Sequence, residues 1–179
     1  MLMSMVASQV DLITAQDADV ESALLALNNA HARETSFLTM PEWRALVGLA
    51  YAATCIDQAA ALMIAVGDAA AYDGVNFQWF KSKLDRYIYV DRIIVAESHR
   101  GAGLARTLYD DLFERMRASG HHTVACEVNA VPPNPGSKAF HAGLGFLEIG
   151  RATLHDRGKT VKYLIKEFGK NPRSPSLMS

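Results

Sequence analysis

The alternation of hydrophobic and polar residues along the chain predicts a succession of strands and helices. The clearest strand is 87–95, YIYVDRIIV, which is rich in β-branched and aromatic residues. The clearest helix follows at about 103–119, and Gly120 is placed to end it. Further strands are predicted at 10–14, 51–56, 59–66, 122–128, 146–154 and 160–168, and further helices after Asp17, at 41–49, at 75–83 and at 137–144.

The resulting order is β-α-α-β-β-(α)-β-α-β-α-β-β, which predicts an α/β (α+β) fold with helices flanking a mixed central sheet. The length of 179 residues is that of one domain, which we expect to span residues 1–170. The tail 171–179 is rich in proline and serine, and we expect it to be mobile.

Composition excludes several classes of function. The formal net charge is -1, so no strongly basic surface for nucleic acid is expected. No apolar run approaches the ~20 residues of a membrane-spanning helix, and the N-terminal segment lacks the pattern of a signal peptide. Cys55 and Cys126 lie in apolar runs, which is typical of reduced thiols in a cytoplasmic protein. No cysteine–histidine cluster has the spacing of a metal site.

The segment ESHRGAGLARTLYDDL, residues 97–112, connects the clearest strand to the clearest helix. The first turn of a helix has unpaired N–H groups and the positive end of the helix dipole. Gly101 and Gly103 let a ligand approach that backbone closely, and Arg100 adds positive charge. This pattern predicts a phosphate or pyrophosphate site, although a glycine turn without a ligand remains the alternative.

Two familiar phosphate-binding motifs do not fit this segment. A P-loop requires Lys-Ser or Lys-Thr after its glycines, and neither is present. A Rossmann fingerprint requires G-x-G-x-x-G within a repeated βαβ pattern, but Arg106 stands at the third glycine position and no such repeat is predicted.

Two segments resemble the GNAT N-acetyltransferase superfamily. Residues 100–105, RGAGLA, match its signature R/Q-x-x-G-x-G/A. Residues 134–146, NPGSKAFHAGLGF, are similar to its N-x-x-A/S-x-x-F/L-Y/H-x-x-x-G-F segment. The combination CEVN, PPNPGS and FHAGLGF resembles one uncharacterised bacterial branch of the superfamily.

The resemblance implies acetyl-CoA as the cofactor. It implies that backbone groups of Ile93, Ile94 and Val95 contact the pantetheine arm and the acetyl carbonyl, where strands four and five separate. The expected pyrophosphate residues are Arg100, Gly101, Ala102, Gly103, Leu104, Ala105 and Arg106. Asn134 is expected to contact the pantetheine, with helix capping as its alternative, and Ser137 and Phe140 are expected beside the cofactor.

The sequence offers alternatives for each catalytic role. His141 stands where many members carry a tyrosine general acid, and it is either the acid or a packing residue. Glu127 and Asp91 are the candidate general bases. Alternation along the strand predicts that Asp91 and Arg92 lie on opposite faces, and a cross-strand ion pair between Glu127 and Arg92 is the alternative to a catalytic role for Glu127.

The acceptor side is expected from the variable segments of this fold. The candidate residues are Asn29, His31, Tyr72, Asn76 and Trp79, and the alternative for the aromatic ones is to anchor a helix on the sheet. The leading hypothesis is transfer of an acetyl group to a primary amine of a small molecule or a protein, with a homodimer left open. A catalytically silent acyl-CoA sensor and a nucleotide-phosphate binder are the competing hypotheses.

Overall fold

The computed structural model describes residues 9–14 and 17–169 and confirms the predicted order of elements. The predicted mobile tail, 171–179, lies outside the described residues. The strands are β1 (Val10–Leu12), β2 (Ala52–Ile56), β3 (Ala61–Gly67), β4 (Ile88–Val95), β5 (Thr123–Val131), β6 (Leu147–Leu154) and β7 (Lys159–Glu167). The helices are α1 (Ala18–Ala30), α2 (Met40–Leu49), α3 (Val75–Lys81), α4 (Leu104–Ser119) and α5 (Pro135–Gly143).

The strands form one seven-stranded sheet in the order β1-β2-β3-β4-β5-β7-β6. Every neighbouring pair is antiparallel except β4 and β5, which are parallel and joined through α4. Their pairing joins Ile88 to Val124 and Tyr89 to Ala125 and ends there. Beyond these pairs the two strands diverge, which opens a gap in the middle of the sheet.

Local sequence signals account for the ends of the elements. The side chain of Asp17 accepts hydrogen bonds from the backbone N–H groups of Asp19 and Val20, which caps α1. Thr39 and Glu42 form a capping box at the start of α2. Gly120 ends α4 with a φ of 72°, a conformation that glycine adopts without strain.

The sheet separates two hydrophobic layers. On one face, Leu108 and Leu112 of α4 pack with Ile88 and Val90 of β4. On the other face, the buried side chains come from α1, α2 and α3; they include Leu24, Trp43, Phe77 and Phe80, packed against Tyr87 and Tyr89. Within the described residues, no helix combines the length and apolarity needed to cross a membrane.

A β-bulge interrupts β4 at Asp91. Ile64 pairs with Arg92 and Ala65 with Val90, so Asp91 is an extra residue without a direct partner on β3. The bulge resets the alternation of side chains, and the Arg92 Nε donates to Asp91 Oδ2 at 2.6 Å. The prediction that these neighbours lie on opposite faces is therefore wrong, because it assumed a regular strand.

Helix α3 is anchored on the sheet by Trp79. Its indole stacks on the ring of Tyr163 in β7, with centroids 3.9 Å apart and planes inclined by 18°. The same indole lies over Gly150 in β6, where an added Cβ would come within 2.6 Å of a ring carbon. A side chain at position 150 would therefore displace the stacked pair.

We predict that Gly150→Ala lowers the free energy of unfolding by about 1–3 kcal/mol, because the new methyl group overpacks the contact with Trp79. Chemical denaturation measures this change. Gly48→Ala in α2 is the control, since an added Cβ there meets no atom within 4 Å, and its stability should be equal or higher. A Gly150→Ala protein as stable as wild type would contradict the proposed close contact.

Candidate functional site

The gap between β4 and β5 opens into a cleft of about 1070 Å³. Its walls are the loop after α1, the end of β4, the start of α4 and the segment 129–141. A smaller compartment of about 100 Å³ extends it between β4 and β5. The residues that line both spaces are Glu34, Thr35, Ile93, Asn129, Asn134, Ser137 and His141. The cleft and this inner compartment therefore form one continuous space.

The start of α4 presents bare backbone to the cleft. Gly101 and Gly103 both have a φ of 79°, and a Cβ added at either would meet no atom within 4 Å. Gly103 is the N-cap and provides no side-chain cap, and the first helical bond runs from the Thr107 N–H to the Gly103 carbonyl at 3.0 Å. The N–H groups at 104–106 consequently lack helical acceptors, as an anion site requires.

The end of β4 also offers backbone groups to the cleft. The Ala96 N–H donates to the Ala60 carbonyl at 2.9 Å, and Val95 is opposite Ala61. Because hydrogen bonding alternates along an antiparallel pair, Ile94 bonds toward β3, whereas the polar backbone groups of Ile93 and Val95 point toward β5. The pairing with β5 has already ended at this level, so these groups face the gap.

Asn134 caps helix α5 and also lines the cleft. Its Oδ1 accepts a hydrogen bond from the Ser137 N–H at 3.1 Å. Phe140 lies beside it in the same wall.

Arg100 is held at the rim of the cleft by His31. The His31 Nδ1 lies 3.0 Å from the Leu27 carbonyl, which fixes the proton on Nδ1 and leaves Nε2 as an acceptor. The guanidinium of Arg100 lies 3.3 Å from that Nε2. His31, expected on the acceptor side, thus contacts the loop that carries Gly101 and Gly103.

Glu127 lies in the inner compartment and receives two hydrogen bonds. The Tyr89 hydroxyl donates to Oε2 at 2.8 Å, and the Asn76 amide donates to Oε1 at 2.8 Å. Burial, followed by the nearby charge of Asp91, raises the pKa of Glu127 to about 7, although both hydrogen bonds oppose the shift. The alternative of an ion pair between Glu127 and Arg92 is wrong, since Arg92 bonds elsewhere.

Asp91 is the carboxylate that pairs with Arg92. It also accepts a hydrogen bond from the Tyr72 hydroxyl. Arg92 is 6% exposed and donates from Nη1 to Asn28 Oδ1 at 2.6 Å, so its charge is compensated on two sides. Asp91 thus belongs to a satisfied buried cluster that joins the bulge of β4 to α1.

His141 is only 3% exposed, and both of its ring nitrogens are engaged. Nδ1 lies 2.8 Å from the Ser137 carbonyl, and Nε2 lies 2.8 Å from the Tyr109 hydroxyl. Burial lowers the pKa of His141, which favours the neutral ring. Neither nitrogen is left to donate directly into the cleft.

Several expected acceptor residues lie outside the cleft lining. The Asn29 amide bonds the backbone of Leu38 in both directions at 2.9 Å, and Trp79 is stacked on Tyr163. The Tyr72 hydroxyl instead donates a hydrogen bond to the Asp91 carboxylate, and the Asn76 amide donates one to the Glu127 carboxylate. Ala102 is also absent from the lining, although its neighbours in the glycine turn belong to it.

The site residues that the sequence interpretation missed include Thr35, Asn129 and Tyr109. Tyr109 lies on the buried face of α4 beside Leu108 and Leu112, where its spacing is that of a core residue. Its hydroxyl is the one polar atom on that face, and a buried hydroxyl requires a partner. A buried hydroxyl on this face therefore indicated a polar partner. The sequence could not identify that partner, because His141 is 32 positions away along the chain.

Comparison with known proteins agrees with this geometry. The sequence profile of the acetyltransferase (GNAT) family matches residues 22–146, which is more than half of the chain. The chain belongs to the GNAT acetyltransferase family. No curated protein sequence matches it.

Solved structures of low sequence identity share the fold of this GNAT protein. The ribosomal-protein-S18-alanine N-acetyltransferase of Escherichia coli is 16% identical, with a TM-score of 0.68 over 97% of this chain and 100% of its own. The Salmonella typhimurium protein yncA, solved with its cofactor acetyl-CoA, is 16% identical, with a TM-score of 0.66 over 95% and 99%. An aminoglycoside 6'-N-acetyltransferase in complex with coenzyme A is 12% identical, with a TM-score of 0.67 over 92% and 99%.

We predict that two substitutions move the pKa of Glu127 in opposite directions. Asp91→Asn should lower it, because the mutation removes a negative charge that disfavours ionisation. Tyr89→Phe should raise it, because the ionised carboxylate loses a hydrogen-bond donor. NMR titration of protein labelled at the glutamate carboxyl carbons measures both shifts, and Glu127→Gln assigns the resonance. Shifts of the same sign in both variants would contradict the described environment.

Proposed function

We propose that this GNAT protein is an acetyl-CoA-dependent N-acetyltransferase whose acceptor is a primary amine of a small molecule or a protein. One observation carries the proposal. A single continuous space joins a backbone anion cradle at the start of α4 to the carboxylate of Glu127, whose pKa is about 7. One end of this space therefore suits an anionic acetyl donor. The other end holds a carboxylate that can accept a proton from an amine.

The residues of the cleft fit acetyl-CoA, which supplies an acetyl group activated as a thioester. The N–H groups at 104–106 and the guanidinium of Arg100 suit its pyrophosphate. The backbone groups of Ile93 and Val95 and the amide of Asn134 suit the peptide-like pantetheine arm. Structures of the same fold contain acetyl-CoA or coenzyme A, which supports the same donor here.

Glu127 is the residue best suited to accept a proton from the amine. A general base works best when its pKa is close to the working pH, and the pKa of Glu127 is about 7. Tyr89 and Asn76 fix the orientation of its carboxylate. Asp91 is already committed to Arg92 and Tyr72, so we assign it a positioning role instead. The N–H groups of Ile93 and Val95 are candidates for stabilising negative charge on the acetyl oxygen.

One observation favours the second candidate, a catalytically silent acyl-CoA sensor. His141 replaces the tyrosine that the resemblance implies, and both of its nitrogens are engaged within the protein. A site that binds the donor without a means of completing transfer would have this appearance.

The two candidates differ in turnover. We predict that a panel of primary amines includes at least one that causes release of the CoA thiol from acetyl-CoA, as followed with a thiol reagent. Glu127→Gln should then lower kcat by about 100-fold or more, with the affinity for CoA unchanged. Binding of CoA without turnover on any amine would favour the sensor. ATP competing as well as CoA would favour a nucleotide-phosphate binder.

We predict that Gly103→Glu strongly weakens CoA binding in calorimetric titration. Both Gly103→Glu and Gly103→Gln place a side chain of similar size on a backbone with a φ of 79°, so their difference reports the added negative charge. The Glu variant should bind CoA at least about tenfold more weakly than the Gln variant. Added salt should reduce this difference in affinity, because it screens the repulsion between the glutamate and the phosphates.

Gly158→Glu is the matched control for Gly103→Glu. Gly158 also has a positive φ, 58°, and open space around an added Cβ, but it lies between β6 and β7, outside the cleft lining. Its affinity for CoA should equal that of wild type. Equal affinities of the Gly103→Glu and Gly103→Gln proteins would contradict an anion site at the start of α4.

A further inference from the structure

We infer that Tyr163 of β7 is a positioning residue for Glu127, because its hydroxyl fixes the side-chain amide of Asn76 in the orientation that donates to the carboxylate. This inference rests on the proposed function, in which Glu127 accepts a proton from the amine. The carrying observation is a chain of two hydrogen bonds. The Tyr163 hydroxyl donates to Asn76 Oδ1 at 3.0 Å, and the Asn76 amide nitrogen donates to Glu127 Oε1 at 2.8 Å.

Helix α3 holds the ring of Tyr163 between aromatic side chains. Asn76, Trp79 and Phe80 have the i, i+3 and i+4 spacing that places side chains on the same face of a helix. The indole of Trp79 stacks on the Tyr163 ring with centroids 3.9 Å apart, and the Phe80 ring meets it edge-on at 5.1 Å. The ring is therefore fixed in place, and its hydroxyl reaches Asn76 one turn earlier in the helix.

The amide of Asn76 has two orientations that differ by 180°, and only one of them donates to Glu127. Tyr163 is 1% exposed, and Asn76 is the only hydrogen-bond partner of its hydroxyl among the residues that the structure describes. In the reversed orientation the NH2 group would face the phenol oxygen, and the phenolic proton would lack an acceptor. Because an unpaired buried donor is costly, the hydroxyl favours the orientation in which Oδ1 accepts from it.

The fixed amide stabilises the ionised form of Glu127. An NH2 group donates to a carboxylate but cannot accept the proton of a carboxylic acid, so its hydrogen bond lowers the pKa of Glu127. The reversed amide would present Oδ1, which can accept that proton and would favour the protonated form. Burial and the charge of Asp91 raise the same pKa. Tyr163 thus limits this rise without touching the carboxylate.

The competing explanation is that Tyr163 only packs against α3, since its ring is stacked on Trp79. A test must therefore remove the hydroxyl and keep the ring, as Tyr163→Phe does. Tyr87→Phe is the matched control. Tyr87 is also buried, and its hydroxyl donates to the Phe77 carbonyl at 3.2 Å instead of to Asn76.

The first experiment measures the pKa of Glu127 by NMR titration of the labelled glutamate carboxyl carbons. We predict that Tyr163→Phe raises this pKa by about 0.5–1, the size expected when one hydrogen bond to the ionised form is weakened. Tyr87→Phe should leave it unchanged. In the Asn76→Leu background, which has no amide to orient, Tyr163→Phe should cause no further change. An unchanged pKa in Tyr163→Phe, or an equal shift with and without the Asn76 amide, would overturn the inference.

The second experiment follows the pH dependence of kcat with an amine found in the panel. The base acts in its ionised form, so a raised pKa lowers kcat on the acidic side of the profile and not on the alkaline side. We predict that Tyr163→Phe lowers kcat by about three- to tenfold at pH 6 and by less than about twofold at pH 9. A loss of kcat by the same factor at both pH values would indicate a structural defect and would overturn the positioning role.

These outcomes separate the inference from the proposed function. If wild type turns over no amine, but Tyr163→Phe raises the pKa of Glu127 only when Asn76 is present, the proposed acetyl transfer fails and Tyr163 still positions this carboxylate through Asn76. If wild type turns over an amine, and Tyr163→Phe changes neither the pKa nor the pH profile, acetyl transfer stands and Tyr163 is only a packing residue.

Discussion

The early end of pairing between β4 and β5 is the constraint on which the rest of the site depends. Two parallel strands that stay paired leave no backbone free, whereas here the ladder stops after Tyr89 and Ala125. The antiparallel partners on either side, β3 and β7, hold each strand in place while the gap opens. Helix α4 packs across one face of the sheet, and its first turn is therefore brought to the mouth of the gap.

The gap exposes polar groups that a closed sheet would have satisfied, and a buried polar network lies beside it. The bulge in β4 turns Asp91 and Arg92 to one face, where Tyr72 and Asn28 complete their hydrogen bonds. Glu127 is treated differently. Its two hydrogen-bond donors, Tyr89 and Asn76, are neutral, and burial and then the charge of Asp91 raise its pKa to about 7. Of the two carboxylates, Asp91 is paired with a guanidinium, whereas Glu127 accepts hydrogen bonds from neutral groups.

The order of elements could be predicted because periodicity, caps and glycine turns are local properties. The bare backbone at the start of α4 could be predicted for the same reason, since Gly101 and Gly103 are local signals of a turn. The bulge could not, because a single extra residue leaves no mark in YIYVDRIIV. Contacts across the fold were equally hidden: Tyr89 meets Glu127 and Tyr109 meets His141 only after the strands and helices have packed.

The two halves of the cleft differ in what they require of the sequence. The half that we propose for the donor offers backbone groups, which many different sequences can supply. The half that we propose for the acceptor is lined by side chains of the loop after α1, including Glu34 and Thr35 in the inner compartment. Arg92 ties this loop to the bulge, because it contacts Asn28 and the hydroxyl of Ser36. Under the proposed function, we expect changes in this loop to alter the choice of acceptor.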